Sequence, residues 1–201
     1  GIPLNERKRL GALLDDRPQT EVMAMIPQFS QAETDNFVAP PAKIPEALGV
    51  LMFNMERGVN LPEIQEFLRD CPDIQPFDVI LANELDDGCA RSGNKNTARE
   101  LAQAFGLNYA WGLEFIELVN DENAKGFHGN AVFSRWPIRR AGVIRLPEQY
   151  NWYFDRQKRI GGRLAVFAEL DVGGQLVGAV SIHLENRTHG EGRKAQMAAI
   201  L

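Results

Sequence analysis

Short apolar runs alternate along the chain with longer stretches whose apolar residues recur at helical spacing. Residues 49–54 and 79–82 are apolar runs that predict two strands, the second of them buried on both faces. Between these runs, helically spaced apolar residues predict a helix with Asn60 as its N-cap, ending before Pro72. The pattern therefore begins as a strand–helix–strand unit.

The later part of the chain is richer in strands. A second helix is predicted after Asn94 or Asn96, with Gly106 near its end. Further strands are predicted at residues 108–119, 131–133, 141–146, 162–172 and 175–183, and a last helix at 191–201. The pair Gly173-Gly174 predicts a hairpin between two of these strands. This order favours two facing sheets with helices outside over a doubly wound parallel sheet.

Residues 1–45 have a different pattern. Residues 4–16 are consistent with one amphipathic helix, and five prolines with few periodic signals follow. We interpret 1–45 as an N-terminal arm that packs on a domain or links to something upstream, and 46–201 as the domain itself.

Composition narrows the class of protein. The chain has 201 residues, 44% hydrophobic and 24% charged, as in ordinary globular proteins. The net charge of −5 argues against general electrostatic attraction to nucleic acid. No apolar run approaches the length of a membrane span, and no signal-peptide pattern opens the chain. Cys71 and Cys89 are too few for a zinc site, and they either form one bridge or remain free thiols.

Polar side chains follow three of the predicted strands. Asn54 and Glu56 follow the first, Glu84 the second, and His183 closes the later hairpin strand. Oxygen ligands at strand ends suit Mg²⁺, which needs only one or two protein carboxylates beside water and phosphate. The alternatives are a solvated acidic turn, a turn role for Asn54 and a structural role for His183.

Basic and aromatic residues offer further contacts for phosphate. Arg135 and Arg163 are candidates because a guanidinium binds two oxygens at once, although each can equally flank a strand at the surface. Residues 150–154, rich in aromatic side chains and bordered by basic ones, can clamp a nucleotide or sugar phosphate or lie against the core. The chain has neither a glycine-rich phosphate loop nor a Gly-x-Ser-x-Gly elbow, so metal-assisted attack of water is favoured over a covalent nucleophile.

Five segments in this order resemble the endonuclease/exonuclease/phosphatase superfamily, which has the fold of deoxyribonuclease I. They are residues 52–58, 78–84, 129–138, 162–170 and 181–185, and the helix carrying Arg193 and Gln196 also fits. The resemblance implies a four-layered α/β sandwich and a phosphoesterase that depends on Mg²⁺ or Mn²⁺. It implies that Glu84 binds the metal and that Asn54 and His183 contact the phosphate. We add Asn130, Arg135, Arg163 and Glu56 as substrate-binding candidates.

The sequence departs from the family pattern in two places. Asn83 stands where the family usually has Gln. The family's Gly-Asp-x-Asn segment, a further Asp and a closing Ser-Asp-His do not occur. We therefore expect a sandwich that is incomplete at the C-terminus, an exposed apolar face or edge, and a longer parent protein without which these residues are inactive. The expected substrate is a phosphate ester of nucleic acid, a nucleotide or a lipid head group, and the alternative is an inactive binding or scaffold domain.

Overall fold

The computed structural model describes residues 1–201 and contains two β-sheets that face each other. The first sheet consists of β1 (Ala32–Asp35), β2 (Val50–Arg57), β3 (Val79–Asp87), β4 (Asn108–Glu117), β5 (Phe127–Ser134) and β7 (Arg159–Gly161). Its order is β1-β4-β5-β3-β2, with β7 paired to the end of β4. Only β2 and β3 run parallel; the other pairings are antiparallel.

The second sheet is smaller and wholly antiparallel. It consists of β6 (Ile138–Arg145), β8 (Leu164–Val172) and β9 (Gln175–Ile182), in the order β6-β8-β9. Gly173 and Gly174 join the last two strands with φ values of 61° and 92°. Both values lie in the left-handed region that a tight hairpin turn requires, so the predicted hairpin is confirmed.

Two apolar cores hold the layers together. The larger lies between the first sheet and four helices, α1 (Leu4–Ala12), α2 (Gln19–Ala24), α3 (Leu61–Asp70) and α4 (Thr97–Phe105). The last helix, α5 (Gly190–Ala198), contributes no side chain to this core. Leu68 of α3 and Leu101 of α4 are buried in this core. The smaller core lies between the two sheets, where Val132 of β5 meets Val166 of β8. The predicted α/β class of two facing sheets is confirmed. None of the helices is both long and apolar enough to cross a bilayer.

The N-terminal segment lies against the domain. Leu10, Leu14 and Val22 are buried in the larger core, and β1 adds an edge strand to the first sheet by pairing with β4. Arg7 is buried and donates to the carbonyl of Asn123 at 2.6 Å. Residues 1–45 therefore supply both a strand and core side chains.

Several elements differ from the predictions. The pattern did not predict β1, α2 or β7, which are three to six residues long and too short to show a period. Asn60 precedes α3 but its side chain makes no capping bond, whereas Asn96 accepts from the N–H of Arg99 at 2.9 Å. Apolar side chains are exposed at the open sheet edges, with Met52 of β2 75% and Leu176 of β9 63% exposed.

Candidate active site

Glu84 lies at an irregularity in the central sheet. The pairing of β3 shifts register on both sides, between Asn54 and Arg57 of β2 and between Ala82 and Leu85 of β3 itself. Glu84 has a φ of 58°, an uncommon value for a residue other than glycine, and its N–H donates to Asn130 Oδ1 at 3.1 Å. The bulge turns the Glu84 side chain out of an otherwise buried strand.

The structure brings the three central predicted residues together. His183 Nε2 is 3.9 Å from Glu84 Oε1, and the two side chains are 22% and 23% exposed. The Asn54 amide lies against the Glu84 carboxylate. Asn54 Oδ1 also accepts from the N–H of Glu56 at 2.9 Å, which fixes the amide at the end of β2. Residues from β2, β3 and the end of β9 therefore share one rim.

The local field keeps Glu84 ionised and His183 neutral. Burial raises the pKa of Glu84, but the neighbouring His128, the hydrogen bond from the Asn54 amide and the charge of Arg57 outweigh it, so the net pKa is lowered. Burial lowers the pKa of His183, and the neighbouring carboxylates only partly offset this effect. The ionised carboxylate of Glu84 is suited to binding a cation, and the neutral imidazole of His183 is suited to donating one hydrogen bond.

Arg163 fixes which nitrogen of His183 carries the proton. Arg163 Nη1 lies 3.1 Å from His183 Nδ1. Because a guanidinium can only donate, Nδ1 must accept, and the proton of the neutral ring is then on Nε2. Arg163 is itself held by Glu114 at 3.3 Å and Glu185 at 3.2 Å. The donor nitrogen of His183 consequently faces the rim.

A buried ionic network supports this arrangement from below. His128 Nδ1 lies 3.0 Å from Asp86, and its Nε2 lies 3.8 Å from Glu114. Although burial raises the pKa of Asp86, hydrogen bonds from Arg91 and His128 lower it to about 2. The network continues from Arg91 to Glu117 and Arg159. Removing one partner from such a network leaves an uncompensated buried charge, so its members hold one another in place.

A cavity of about 560 Å³ opens beside Glu84. Five arginines and only two carboxylates line it, and the remaining four residues carry other polar groups. The lining residues are Arg57, Arg156, Arg159, Arg163, Arg187, Glu84, Asp155, His128, Trp152, Gln157 and Asn186. The excess of guanidinium groups over carboxylates favours anions over cations in this cavity.

The other predicted site residues take different positions. Asn130 is buried beneath Glu84, and its Nδ2 has no hydrogen-bond partner. Glu56 is exposed and acts through its backbone. Arg163 lines the cavity, but its guanidinium is engaged by two carboxylates and His183. Arg135 is not brought to this rim: it follows the far end of β5 and lies over the Phe77 ring.

The aromatic loop, residues 150–154, lies mainly against the core. Trp152 and Tyr153 are buried, and Trp152 Nε1 donates to Glu185 at 2.8 Å, whereas Phe154 is 68% exposed. Asn83, the departure from the family pattern, donates to Ser181 Oγ at 3.3 Å and so ties β3 to β9 close to His183.

Sequence reasoning missed Glu114, and it did not single out Arg57. Glu114 interrupts a strand of buried apolar and aromatic residues, and a carboxylate at such a position was the available signal. Arg57 belongs to one of the quoted segments, but nothing in the pattern shows that it turns toward the cavity.

The donor set at the rim fits a hard cation. Glu84 supplies an ionised carboxylate, the ligand type that Mg²⁺ takes, and the Asn54 amide, whose Oδ1 accepts from the N–H of Glu56, orients that carboxylate. No group of three or more His, Cys, Asp or Glu side chains is arranged to enclose a metal ion.

Comparison with solved structures places the fold. The chain is similar to an endonuclease/exonuclease/phosphatase family protein from Leptotrichia buccalis, with a TM-score of 0.50 and 18% identity over 77% of this chain and 63% of that one. The protein thus has the fold of the endonuclease/exonuclease/phosphatase superfamily, which confirms the resemblance stated from the sequence.

Two further solved structures are similar at lower scores. One is the 3′ phosphatase NExo from Neisseria bound to a product DNA hairpin, with a TM-score of 0.45 and 20% identity. The other is SmcL, with a TM-score of 0.44 and 13% identity. Each match covers 77% of this chain and, respectively, 50% and 55% of the other. The chain thus spans between half and two thirds of the three structures. No protein-family model and no curated protein matches the sequence.

Proposed function

We propose that this chain forms the core of a phosphoesterase that depends on a divalent cation and uses water as its nucleophile. The observation that carries the proposal is the position of Glu84, which a backbone bulge holds 3.9 Å from His183 at the mouth of an arginine-lined cavity. An ionised carboxylate, a hydrogen-bond donor and an anion site in one place are what hydrolysis of a phosphate ester requires.

The chain's own residues have distinct roles in this proposal. His183 donates from Nε2 to an oxygen of the phosphate, and Arg163 holds the ring in that tautomer. Asn130 holds the Glu84 backbone through its Oδ1. Asn54 orients the Glu84 carboxylate from the neighbouring strand. These groups are fixed before substrate arrives, so little reorganisation is needed in the transition state.

Glu84 would hold Mg²⁺ or Mn²⁺. When bound there, the cation would neutralise the charge that develops on the phosphate oxygens. A phosphodiester or phosphomonoester of nucleic acid, a nucleotide or a lipid head group is the proposed substrate, because the arginines lining the cavity select for negative charge rather than for a particular organic group.

The test compares Glu84→Gln with Glu63→Gln, since Glu63 is exposed on α3 and forms no ion pair. Each variant is made in this chain and in the longest protein that its coding sequence encodes. Hydrolysis of bis(p-nitrophenyl) phosphate is followed with Mg²⁺, with Mn²⁺ and with EDTA. We expect the cation-dependent rate to disappear in Glu84→Gln and to persist in Glu63→Gln, with circular dichroism unchanged in both. Hydrolysis that survives Glu84→Gln or EDTA would refute the metal assignment.

A binding or scaffold domain without turnover is the second candidate. It is favoured by the absence of an enclosed cluster of metal-binding side chains. The same assay separates the two functions, because a scaffold gives no cation-dependent hydrolysis of any phosphate ester in either form of the protein.

A further inference from the structure

A second cavity, of about 690 Å³, lies between the N-terminal segment and the two sheets. One of its walls is α2 with the turn that follows it, and the other is formed by the end of β6 and the start of β8. Arg163 is the only residue that lines both this cavity and the arginine-lined one, and its guanidinium is engaged by two carboxylates and His183. The second cavity is therefore a space apart from the candidate active site.

The walls of the second cavity are largely apolar and are tied to each other. The apolar lining residues are Met23, Ala24, Ile26, Phe29, Leu146 and Ala199. Gln19 is buried and bridges the walls: its Nε2 donates to Glu148 at 2.8 Å, and its Oε1 accepts from the N–H of Gly161 at 3.1 Å. The volume lies within the range of small-molecule sites, roughly 300–1,000 Å³, which are also mostly apolar and preformed.

Arg145 is a half-buried cation on the cavity wall that forms no ion pair. Its guanidinium donates to the carbonyl of Leu113 at 2.6 Å and to that of Gly162. A third, longer bond reaches the carbonyl of Glu114 at 3.4 Å. The guanidinium also lies 5.1 Å from the centre of the Phe29 ring. All of these partners are neutral groups, so the charge of Arg145 has no counterion in contact with it.

The Arg145 guanidinium has hydrogen-bonding capacity left for a ligand. It carries five N–H donors, and the three carbonyls take only three of them. Its Nε donates to no acceptor and, unlike the Nε of Arg7, is not fully buried. Burial lowers the pKa of Arg145 to about 10, and the nearby Glu114 offsets this effect only in part. A partly desolvated charge without a counterion costs stability, which an anion in the cavity restores.

Glu148 does not neutralise Arg145. It is exposed, forms no ion pair and is turned toward Gln19 by their hydrogen bond. Water and salt screen a carboxylate in such a position. The interior of the second cavity therefore combines apolar walls with one positive group, and this combination selects a molecule that has an apolar body and one negative charge.

We propose that the second cavity binds an amphipathic monocarboxylate, with the carboxylate at Arg145 and the apolar body against Ile26, Phe29 and Leu146. A carboxylate accepts charge-assisted hydrogen bonds from a guanidinium, and an apolar body removes the cavity walls from water. A medium-chain fatty acid and an aryl-substituted short acid both have this chemistry. The site needs neither a metal ion nor a phosphate, so it stands or falls independently of the proposed function.

The test is a titration followed by ¹H–¹⁵N NMR spectra of the protein. Octanoate is compared with 1-octanol and with acetate, and 3-phenylpropionate is compared with 3-phenyl-1-propanol. We expect the acid of at least one pair to bind about tenfold more tightly than its alcohol, since one charge-assisted hydrogen bond is worth roughly that factor. Acetate should bind far more weakly than octanoate, because it lacks the apolar body. The acid that binds more tightly identifies the class of ligand.

Matched variants assign the binding to this cavity. Arg145→Gln should reduce the preference for acid over alcohol about tenfold, and Arg17→Gln, at an exposed arginine outside the cavity that forms no ion pair, should leave it unchanged. Ala24→Phe fills the cavity from an exposed position of α2, so it tests the site without removing the carbonyl contacts of Arg145. It should weaken the binding of both acid and alcohol, whereas Ala104→Phe, exposed on α4 outside the cavity, should weaken neither.

Four results would overturn the proposal. They are equal affinity for each acid and its alcohol, a preference that survives Arg145→Gln, acid binding that is unaffected by Ala24→Phe, and the absence of saturable binding by any of the acids. The titration is repeated with the longest protein that the coding sequence encodes. Binding that is lost there would show that another part of the protein fills the cavity, which would also refute the site.

Discussion

Replacing Arg163 with Met tests whether the buried network supports His183. Arg163 is 6% exposed and bridges Glu114 at 3.3 Å and Glu185 at 3.2 Å. Met keeps much of the side-chain volume but strands both carboxylates in a buried site. Removing one partner of a buried ion pair typically costs about 3–5 kcal/mol of unfolding free energy. With a urea slope of roughly 2–3 kcal/mol per molar, the unfolding midpoint should fall by about 1–2.5 M.

Arg140→Met is the matched control. Arg140 pairs with Glu169 at 2.9 Å between neighbouring strands of the second sheet, but its side chain is 71% exposed. Pairs of this kind contribute at most about 1 kcal/mol, because water already solvates both partners. Urea unfolding followed by tryptophan fluorescence measures both variants. A loss of similar size in the two would refute the claim that the Arg163 contacts are special.

The pH dependence provides a second check on the same variant. In the wild type, burial raises the pKa of Glu185, but backbone and side-chain hydrogen bonds and Arg163 lower it below its ordinary 4.5. A lowered native-state pKa contributes stability above pH 4.5 that is lost as the pH falls below it. In Arg163→Met the stranded Glu185 carboxylate takes up a proton more readily, which relieves the variant at low pH. The difference between wild type and variant should therefore shrink as the pH falls from 7 toward 4, and a constant difference would contradict the reasoning.

Three further outcomes are expected. A Cβ at Gly129 would lie 2.0 Å from a backbone oxygen, whereas a Cβ at Gly142 would meet nothing within 4 Å. Gly129→Ala should therefore lower the unfolding free energy by about 1–3 kcal/mol, and Gly142→Ala should not lower it. Urea titration of both variants measures the difference. Burial raises the pKa of the Cys89 thiol, whereas Cys71 is half-buried. The Cys71 thiol should therefore react with Ellman's reagent much faster than the Cys89 thiol, and two equal rates would contradict the structure. Nitrogen-15 NMR of His183 at neutral pH should show the proton on Nε2, and a proton on Nδ1 would contradict the contact with Arg163.

The sequence predicts the layers of this fold well, because the strands and helices that form them are long enough to show a period. The apolar run before Asn83 and the hairpin at Gly173-Gly174 each have a local cause, which needs no knowledge of the rest of the chain. By contrast, β1 and β7 have three or four residues and exist because β4 offers them an edge. Their pairing is a property of the assembled sheet, so no local pattern predicts them.

The residues of the candidate site also divide into those that the sequence predicts and those that it does not. Asn54, Glu84 and His183 were predictable because each is a polar residue that follows an apolar run, although β2 and β3 continue past Asn54 and Glu84. The role of Arg163 was not, because a guanidinium that binds phosphate and one that binds two buried carboxylates look identical in sequence. Only the burial of Glu114 within β4 distinguishes these two roles of an arginine, and that burial depends on the facing sheet.

The pairing of β1 with β4 has a consequence for synthesis of the protein on the ribosome. The first strand emerges long before its only partner, since Ala32 pairs with Gly112 and two helices and two strands separate them. Until then its hydrogen-bonding groups have no sheet to join, and contacts between distant parts of a chain form slowly. The nascent chain must therefore carry an unpaired extended segment through much of translation, when a chaperone that binds such segments would have most effect on yield.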